Sequence, residues 1–150
     1  MSLKIGDKIP VFQLPDETGT EFNSSSLVGK PAVIFFYPKD NTFLCTKEAC
    51  AFRDSFSDFQ NMGIVVIGIS ADSPISHADF KKTHKLPYRL LSDERNEIRN
   101  VFGVPNDFLG LLPGRVTYCF SPDGIVVSII HSSISADKHV KESMLSLIPS

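Results

Sequence analysis

The sequence predicts one α/β domain around a mixed sheet. Three observations carry that prediction. Two apolar runs, Ala32–Tyr37 (AVIFFY) and Ile64–Ser70 (IVVIGIS), are continuous and rich in branched and aromatic residues, as in strands buried on both faces. Each is followed by a stretch with helical spacing of its apolar residues. Near the C-terminus, Ser121-Pro-Asp-Gly separates two further strand-like runs and is a strong turn signal. A length of 150 residues suits a single hydrophobic core. Repeats, low-complexity tracts and long linkers are absent, so residues 1–150 read as one domain.

Taken in order, Val11–Leu14 and Thr20–Phe22 flank PDETG and predict an N-terminal β-hairpin. Ala32–Tyr37 is the central strand and ends at Pro38. A helical pattern runs from about Thr42 to Met62, with Ala51, Phe52, Phe56 and Phe59 on one face. Ile64–Ser70 is the second buried strand, followed by a helix over Ile75–His84. Arg89–Leu91 is a short strand, and Asp93–Phe102 a helix stopped by Gly103. Arg115–Phe120 and Ile125–His131 form a hairpin, and Ala136–Leu147 is the last helix. The first strand–helix–strand unit is expected to be parallel and right-handed. This order is that of a thioredoxin-like fold: a central mixed β-sheet flanked by helices, with an N-terminal β-hairpin extension. In open α/β sheets ligands bind at the carboxyl ends of the strands. The loop after Tyr37 is such an end, and it leads to Cys45.

Composition narrows the function. The net charge is −2 and the isoelectric point about 6.0, so neither nucleic acid nor an anionic membrane is an expected partner. The apolar runs are too short to span a bilayer. The start, MSLKIGDKIP, carries no apolar signal segment, and the expected location is the cytoplasm or an equivalent organelle compartment. Three cysteines (Cys45, Cys50, Cys119) do not resemble a secreted disulfide framework. The four histidines (His77, His84, His131, His139) show no metal-ligand spacing with them and read as surface or structural residues. Redox or nucleophilic chemistry, or inert buried thiols, remain.

Cys45 falls about one turn into a predicted helix, where unpartnered N–H groups and the positive dipole end favour a thiolate. Thr42 is a plausible N-cap whose hydroxyl would reach the backbone N–H or the sulfur of Cys45. Pro38 fixes the backbone where the chain leaves the strand. The blander readings are a buried thiol for Cys45 and for Cys50, and a simple helix cap for Thr42. Cys119 lies on the same strand face as Arg115, roughly 13 Å along, and reads as core.

Pro38-x-x-x-Thr42-x-x-Cys45 resembles the active-site motif of the peroxiredoxins. The longer string YPKDNT-x-x-CTKEACAFRD, and the chain from Gly6-Asp7-x-x-Pro10 to the last helix, resemble the bacterioferritin comigratory protein or peroxiredoxin Q subfamily. The resemblance implies a thiol-dependent peroxidase that reduces hydrogen peroxide and organic hydroperoxides. It assigns Cys45 as the peroxidatic and Cys50 as the resolving cysteine, with Arg115, within Pro113-Gly-Arg-Val-Thr-Tyr118, on the thiolate. Glu48 would orient Arg115 or the helix start. The implied cycle passes through a Cys45 sulfenic acid and a Cys45–Cys50 disulfide, which a thioredoxin-type dithiol protein reduces. No metal, flavin or haem is required. Subfamily relatives favour a monomer over a dimer. Phe43-Leu44 replaces the usual Pro-Gly, making the loop beside the sulfur bulkier and more apolar, which suggests a preference for apolar peroxides.

Spacing adds a constraint. Five residues apart on an intact helix, the two Cα atoms lie about 8.7 Å from each other, whereas a disulfide needs them within about 6.8 Å. If the pair is redox-active, the first turns of the helix must unwind. Other functions fit less well. A disulfide reductase wants C-x-x-C and a cis-proline where Val116 stands. A glutathione-peroxidase-type enzyme uses a tryptophan, and this chain has none. A redox sensor, a chaperone-like binding module and a purely structural domain differ from a peroxidase in their rate of reaction with peroxide.

Overall fold

A computed structural model describes residues 2–107, 112–132 and 135–147. An antiparallel hairpin comes first, β1 (Gln13–Pro15) against β2 (Glu21–Asn23), with Leu14 opposite Phe22. Asp16 closes its turn, accepting hydrogen bonds from the Thr18 and Thr20 backbone N–H groups. After a 3-10 turn at Ser24–Leu27 comes β3 (Ala32–Phe36), buried at every position. Helix α1 (Phe43–Asp54) and the short α2 (Phe56–Asn61) lead to β4 (Val65–Ser70), α3 (Pro74–His84) and β5 (Arg89–Ser92). Then come α4 (Glu97–Phe102), a ribbon of β6 (Asn106–Asp107) and β7 (Leu112–Pro113), the strands β8 (Val116–Phe120) and β9 (Val126–His131), and α5 (Ala136–Ser146).

The five-stranded sheet runs β5-β4-β3-β8-β9. β3 lies parallel to β4, with Ile34 opposite Ile67, and antiparallel to β8, with Ile34 opposite Tyr118. The mixed thioredoxin-like sheet expected from the element order is therefore present. The two-residue alternation of β3 sorts the core into two layers. Val33, Phe35 and Tyr37 pack with Cys45, Ala49 and Phe52 of α1, Phe59, Phe80, and Val140 of α5. Ile34 and Phe36 pack on the opposite face with Phe12 and Phe22 of the hairpin region and Phe102 of α4. Phe35 stacks on Phe52 with centroids 4.5 Å apart, a contact worth about 1 kcal/mol beyond burial. Gly68 makes room for it: a Cβ there would sit 2.8 Å from the Phe35 ring and 2.9 Å from Leu90.

Two helical expectations need correction. The stretch from Thr42 to Met62 is not one helix. Ser55 adopts φ −100°, ψ 4°, and its N–H is shared between the Ala51 and Arg53 carbonyls. Serine is a weak helix former, and the break lets α2 seat Phe59 against Phe52 and the backbone N–H of Ile64 on the Phe59 carbonyl. The helix expected from Asp93 starts only at Glu97. Asp93 stays outside because its carboxylate accepts the N–H groups of Ile98 and Arg99, and Asn96 enters the helix from a left-handed conformation. No helix among the described residues is long and apolar enough to cross a membrane.

Candidate active site

The carboxyl end of β3 delivers the chain to the site. Tyr37 is buried, Pro38 follows half-buried, and Asn41 takes a left-handed turn at φ 62°, a conformation asparagine tolerates. Thr42 is then extended and becomes the N-cap of α1, its carbonyl accepting from Thr46 N–H at 2.8 Å. The side-chain cap expected of Thr42 is not made. Its hydroxyl donates to the Lys39 carbonyl at 2.8 Å.

Cys45 is the third residue of α1 and 1% exposed. Arg115, immediately before β8, donates from Nη2 to Cys45 Sγ at 3.3 Å and from Nη1 to Glu48 Oε1 at 2.9 Å. One guanidinium thus spans a sulfur and a carboxylate spaced one helical turn apart on α1, the i, i+3 relation that puts both on one face. Burial alone would lower the Arg115 pKa, but Glu48 and Cys45 outweigh it and raise the pKa. Burial pushes Glu48 the other way, from 4.5 to about 7, against the lowering influence of Arg115. The structure therefore brings Cys45, Glu48 and Arg115 together, placing Arg115 on the sulfur as the resemblance implies and Glu48 on Arg115, one of the two places it allows.

Cys50 lies elsewhere on α1. It is half-buried in a groove with Lys47 and Asp54 of its own helix and Asp137, Val140 and Lys141 of α5. Both cysteines are free, and both sit within one unbroken helix. Cys119 is fully buried in the core layer that also holds Cys45, and burial raises its thiol pKa; such a thiol is an apolar filler. Phe43 is 79% exposed, and with Leu44 it forms the start of α1 rather than part of the loop before it.

Two further groups escaped the sequence reading. His139 of α5 is fully buried behind Glu48, its Nδ1 3.5 Å from Glu48 Oε2 and 2.7 Å from Thr117 Oγ1. A spacing signal existed: Ala136, His139, Val140 and Ser143 form the buried stripe of α5. The second group anchors the loop before Cys45. Asp40, almost fully buried, accepts from Tyr37 Oη at 2.6 Å and Ser76 Oγ at 2.9 Å, and meets His77 Nδ1 at 2.7 Å. Its own N–H is held by Asp72 Oδ2 at 2.8 Å, which also accepts from Ser70 Oγ. Asp40, Asp72 and His77 are near enough to share a cation, but the atoms they would offer are already hydrogen-bonded. Nothing in the spacing of these residues along the chain announces the cluster.

A cysteine near the start of the helix after the central strand, with an arginine from the residue before β8 on its sulfur, defines a peroxiredoxin on a thioredoxin-like sheet. Comparison with known proteins agrees. Residues 5–129 match the model of the AhpC/TSA family. The chloroplastic peroxiredoxin Q of Suaeda salsa is 47% identical over 139 residues, which cover 93% of this chain and 65% of that protein, so the chain spans just under two thirds of its length. The chloroplastic peroxiredoxin Q of Sedum lineare is 46% identical, with 75% of its length covered. The crystal structure of peroxidoxin BcpB from Mycobacterium tuberculosis superposes with a TM-score of 0.89 at 38% identity, over 99% of each chain. A peroxiredoxin Q structure from Xanthomonas campestris gives 0.83 at 28% identity, over 91% of this chain and 89% of that one. The chain belongs to the AhpC/TSA family, in its peroxiredoxin Q branch.

Proposed function

We propose that this chain is a thiol-dependent peroxidase with Cys45 as its nucleophile. The observation that carries the reading is the Arg115 guanidinium on Cys45 Sγ, held there by buried Glu48. The Cys45 thiolate attacks the terminal peroxide oxygen. An S–O bond forms as the O–O bond breaks, and Arg115 faces the charge developing on the departing oxygen. Thr42 takes part as an acceptor: with its hydrogen committed to Lys39, Oγ1 keeps lone pairs for the peroxide O–H. Pro38, half-buried after Tyr37, starts the loop that leads to Cys45 and fixes the backbone there.

The sulfenic acid on Cys45 is then attacked by Cys50, expelling water and leaving a disulfide. With α1 intact the pair is held about 8.7 Å apart between Cα atoms, so the first turns of α1 open before the bond closes. A dithiol protein of thioredoxin type reduces the disulfide. The substrates are hydrogen peroxide and organic hydroperoxides. A Xanthomonas campestris bacterioferritin comigratory protein of similar structure is described by its alkyl peroxide reduction activity, which supports the organic class. The chain works as a monomer, a reading that rests on the subfamily resemblance.

The test is a mass-resolved thiol titration after one equivalent of hydrogen peroxide. The wild type should lose two thiols as a Cys45–Cys50 disulfide, and Cys50→Ser should trap a sulfenic acid on Cys45. A Cys45 that stays reduced while free cysteine reacts at the same rate would overturn the reading.

A further inference from the structure

On the side of Arg115 away from the sulfur lies a buried pair that the peroxide chemistry above leaves unused. His139 Nε2 is 2.7 Å from the Ser132 carbonyl oxygen, which only accepts, so Nε2 carries a hydrogen. Nδ1 faces Thr117 Oγ1 at 2.7 Å and Glu48 Oε2 at 3.5 Å. Glu48 Oε1 takes the Arg115 hydrogen bond, whereas Oε2, equally buried, has no hydrogen-bond partner among the described residues. An ionised Glu48 would leave that oxygen bare against a nitrogen lone pair, an expensive arrangement. A neutral carboxyl with its hydrogen on Oε2 has a target in Nδ1, and the Thr117 hydroxyl can turn to suit either state.

Counting charge leads the same way. Among the described residues, the enclosed groups that can carry charge here are Cys45, Arg115, Glu48 and His139, with Tyr88 beside Glu48 held neutral by burial. With Cys45 as thiolate, Arg115 supplies one positive charge. An ionised Glu48 then leaves the set one negative charge in excess; a neutral one leaves it balanced. In a buried site the balanced state wins. We propose that Glu48 and His139 together hold one proton behind Arg115, keeping the buried site neutral while Cys45 is a thiolate and giving the proton up when Cys45 is oxidised.

The groups that face this pair are Arg115 and Thr117 on the β8 side, Cys45 on α1 itself, Tyr88 from the segment before β5, and His131 and Lys138 beside His139. Of these, Arg115 favours an ionised Glu48, and burial outweighs it, holding Glu48 at about 7. Burial, with Arg115 adding to it, lowers His139 to about 4, so the imidazole is the acceptor and the carboxyl carries the hydrogen.

This inference rests on the peroxidase reading for its second half, the release. There, sulfur gives two electrons to the peroxide, the S–O bond forms and the O–O bond breaks. The sulfenic acid keeps the peroxide's own hydrogen. The departing alkoxide or hydroxide ends protonated at the expense of the Glu48–His139 proton, and the Glu48 carboxylate is left paired with Arg115. The site carries zero net charge before and after. Glu48 and His139 are positioning residues; neither touches the peroxide.

Infrared difference spectroscopy on the reduced protein tests the first half without requiring turnover. A neutral-carboxyl C=O band should be present at neutral pH, vanish in Glu48→Gln, and move to higher frequency in His139→Leu, where the acceptor is gone. In a Cys50→Ser background the band should disappear when Cys45 becomes a sulfenic acid. A reduced protein with no Glu48-dependent band overturns the proposal. A band that persists after mass spectrometry shows the sulfenic acid overturns the release. Thiolate absorbance titration of Cys45 gives an independent check, because glutamine mimics a neutral carboxyl: Glu48→Gln should overlay the wild type. A shift of about tenfold or more in the Cys45 protonation constant would show that Glu48 is ionised beside the thiolate, and would equally overturn it. Failure of the peroxidase reading would show separately, as a Cys45 that never oxidises while the band remains.

Discussion

Two buried polar networks sit at the carboxyl ends of the central strands, and they are built to opposite standards. Around Asp40, the carboxylate oxygens meet Tyr37, Ser76 and His77, and His77 Nε2 is spent on the Leu91 carbonyl. Around Arg115, the guanidinium is stretched between a sulfur and a carboxylate, Glu48 Oε2 has no donor among the described residues, and burial raises the Glu48 pKa and lowers that of His139. A satisfied network fixes the backbone. A network left one hydrogen short is poised to take up or lose a proton. The first therefore holds the loop that leads to Cys45, and the second sets the chemistry at Cys45.

The comparison breaks most visibly through Arg115. Arg115→Leu removes the donor on Cys45 Sγ and should slow the first reaction with peroxide by about 10²–10³-fold in stopped-flow measurements. If Asp40→Ala, corrected for its folded fraction, costs as much rate, the two networks do not differ in role.

Asp40→Ala should instead cost stability. It strips the acceptor from the Tyr37 hydroxyl, from Ser76 and from His77 in a site 4% exposed at Asp40, and equilibrium urea unfolding should show a loss of about 3–5 kcal/mol. A loss under about 1 kcal/mol would mean that the cluster is not the anchor its geometry suggests.

The pH dependence of stability sharpens the contrast. Glu48, raised by burial from 4.5 to about 7, binds more protons folded than unfolded across that window, so its contribution falls as pH rises through it. His139, lowered by burial from 6.5 to about 4, binds fewer protons folded, so its contribution is full above 6.5 and fades as pH falls towards 4. The two slopes oppose each other over the shared range and flatten the wild-type profile. His139→Leu removes one of them. Its stability should then decline from about pH 4.5 to about pH 7 at up to about 1.4 kcal/mol per unit, read from urea unfolding across a pH series. A profile parallel to wild type would separate the two residues.

The smallest effects are expected at the exposed helix start and in the α1–α5 groove. Cys50→Ser should change stability by less than about 0.5 kcal/mol while abolishing the disulfide. Replacing Phe43-Leu44 by Pro-Gly should lower the ratio of kcat/KM for cumene hydroperoxide over hydrogen peroxide by about threefold to tenfold, the worth of one or two methylene contacts. An unchanged ratio would show that the exposed Phe43 ring does not meet the substrate.

How much of this was legible in the chain depends on the range of the interaction. Local signals succeeded. The apolar runs gave β3 and β4, and Ser121-Pro-Asp-Gly gave the β8–β9 turn; Arg115 is named only through the resemblance of the Pro38–Cys45 motif. Local signals also produced the errors. Helical spacing through Ser55 concealed a break that the packing of Phe59 on Phe52 accompanies, and Thr42, which its position marks as a side-chain cap, makes no cap hydrogen bond and donates to the Lys39 carbonyl.

By itself, the sequence determined the α/β order, the buried central strand, the placing of Cys45 near a helix start, and the need for α1 to open before Cys45 can meet Cys50. Each follows from periodicity or from a fixed rise per residue, which a short segment carries in full. The tertiary structure decided which distant groups complete the site: Arg115 from 67 positions beyond Glu48, His139 from the last helix, and His77 beneath Asp40. Their pairing depends on the sheet order β5-β4-β3-β8-β9 and on burial, which turns an ordinary glutamate and histidine into groups that share a proton. No local pattern encodes the exclusion of water, because that is a property of the assembled core.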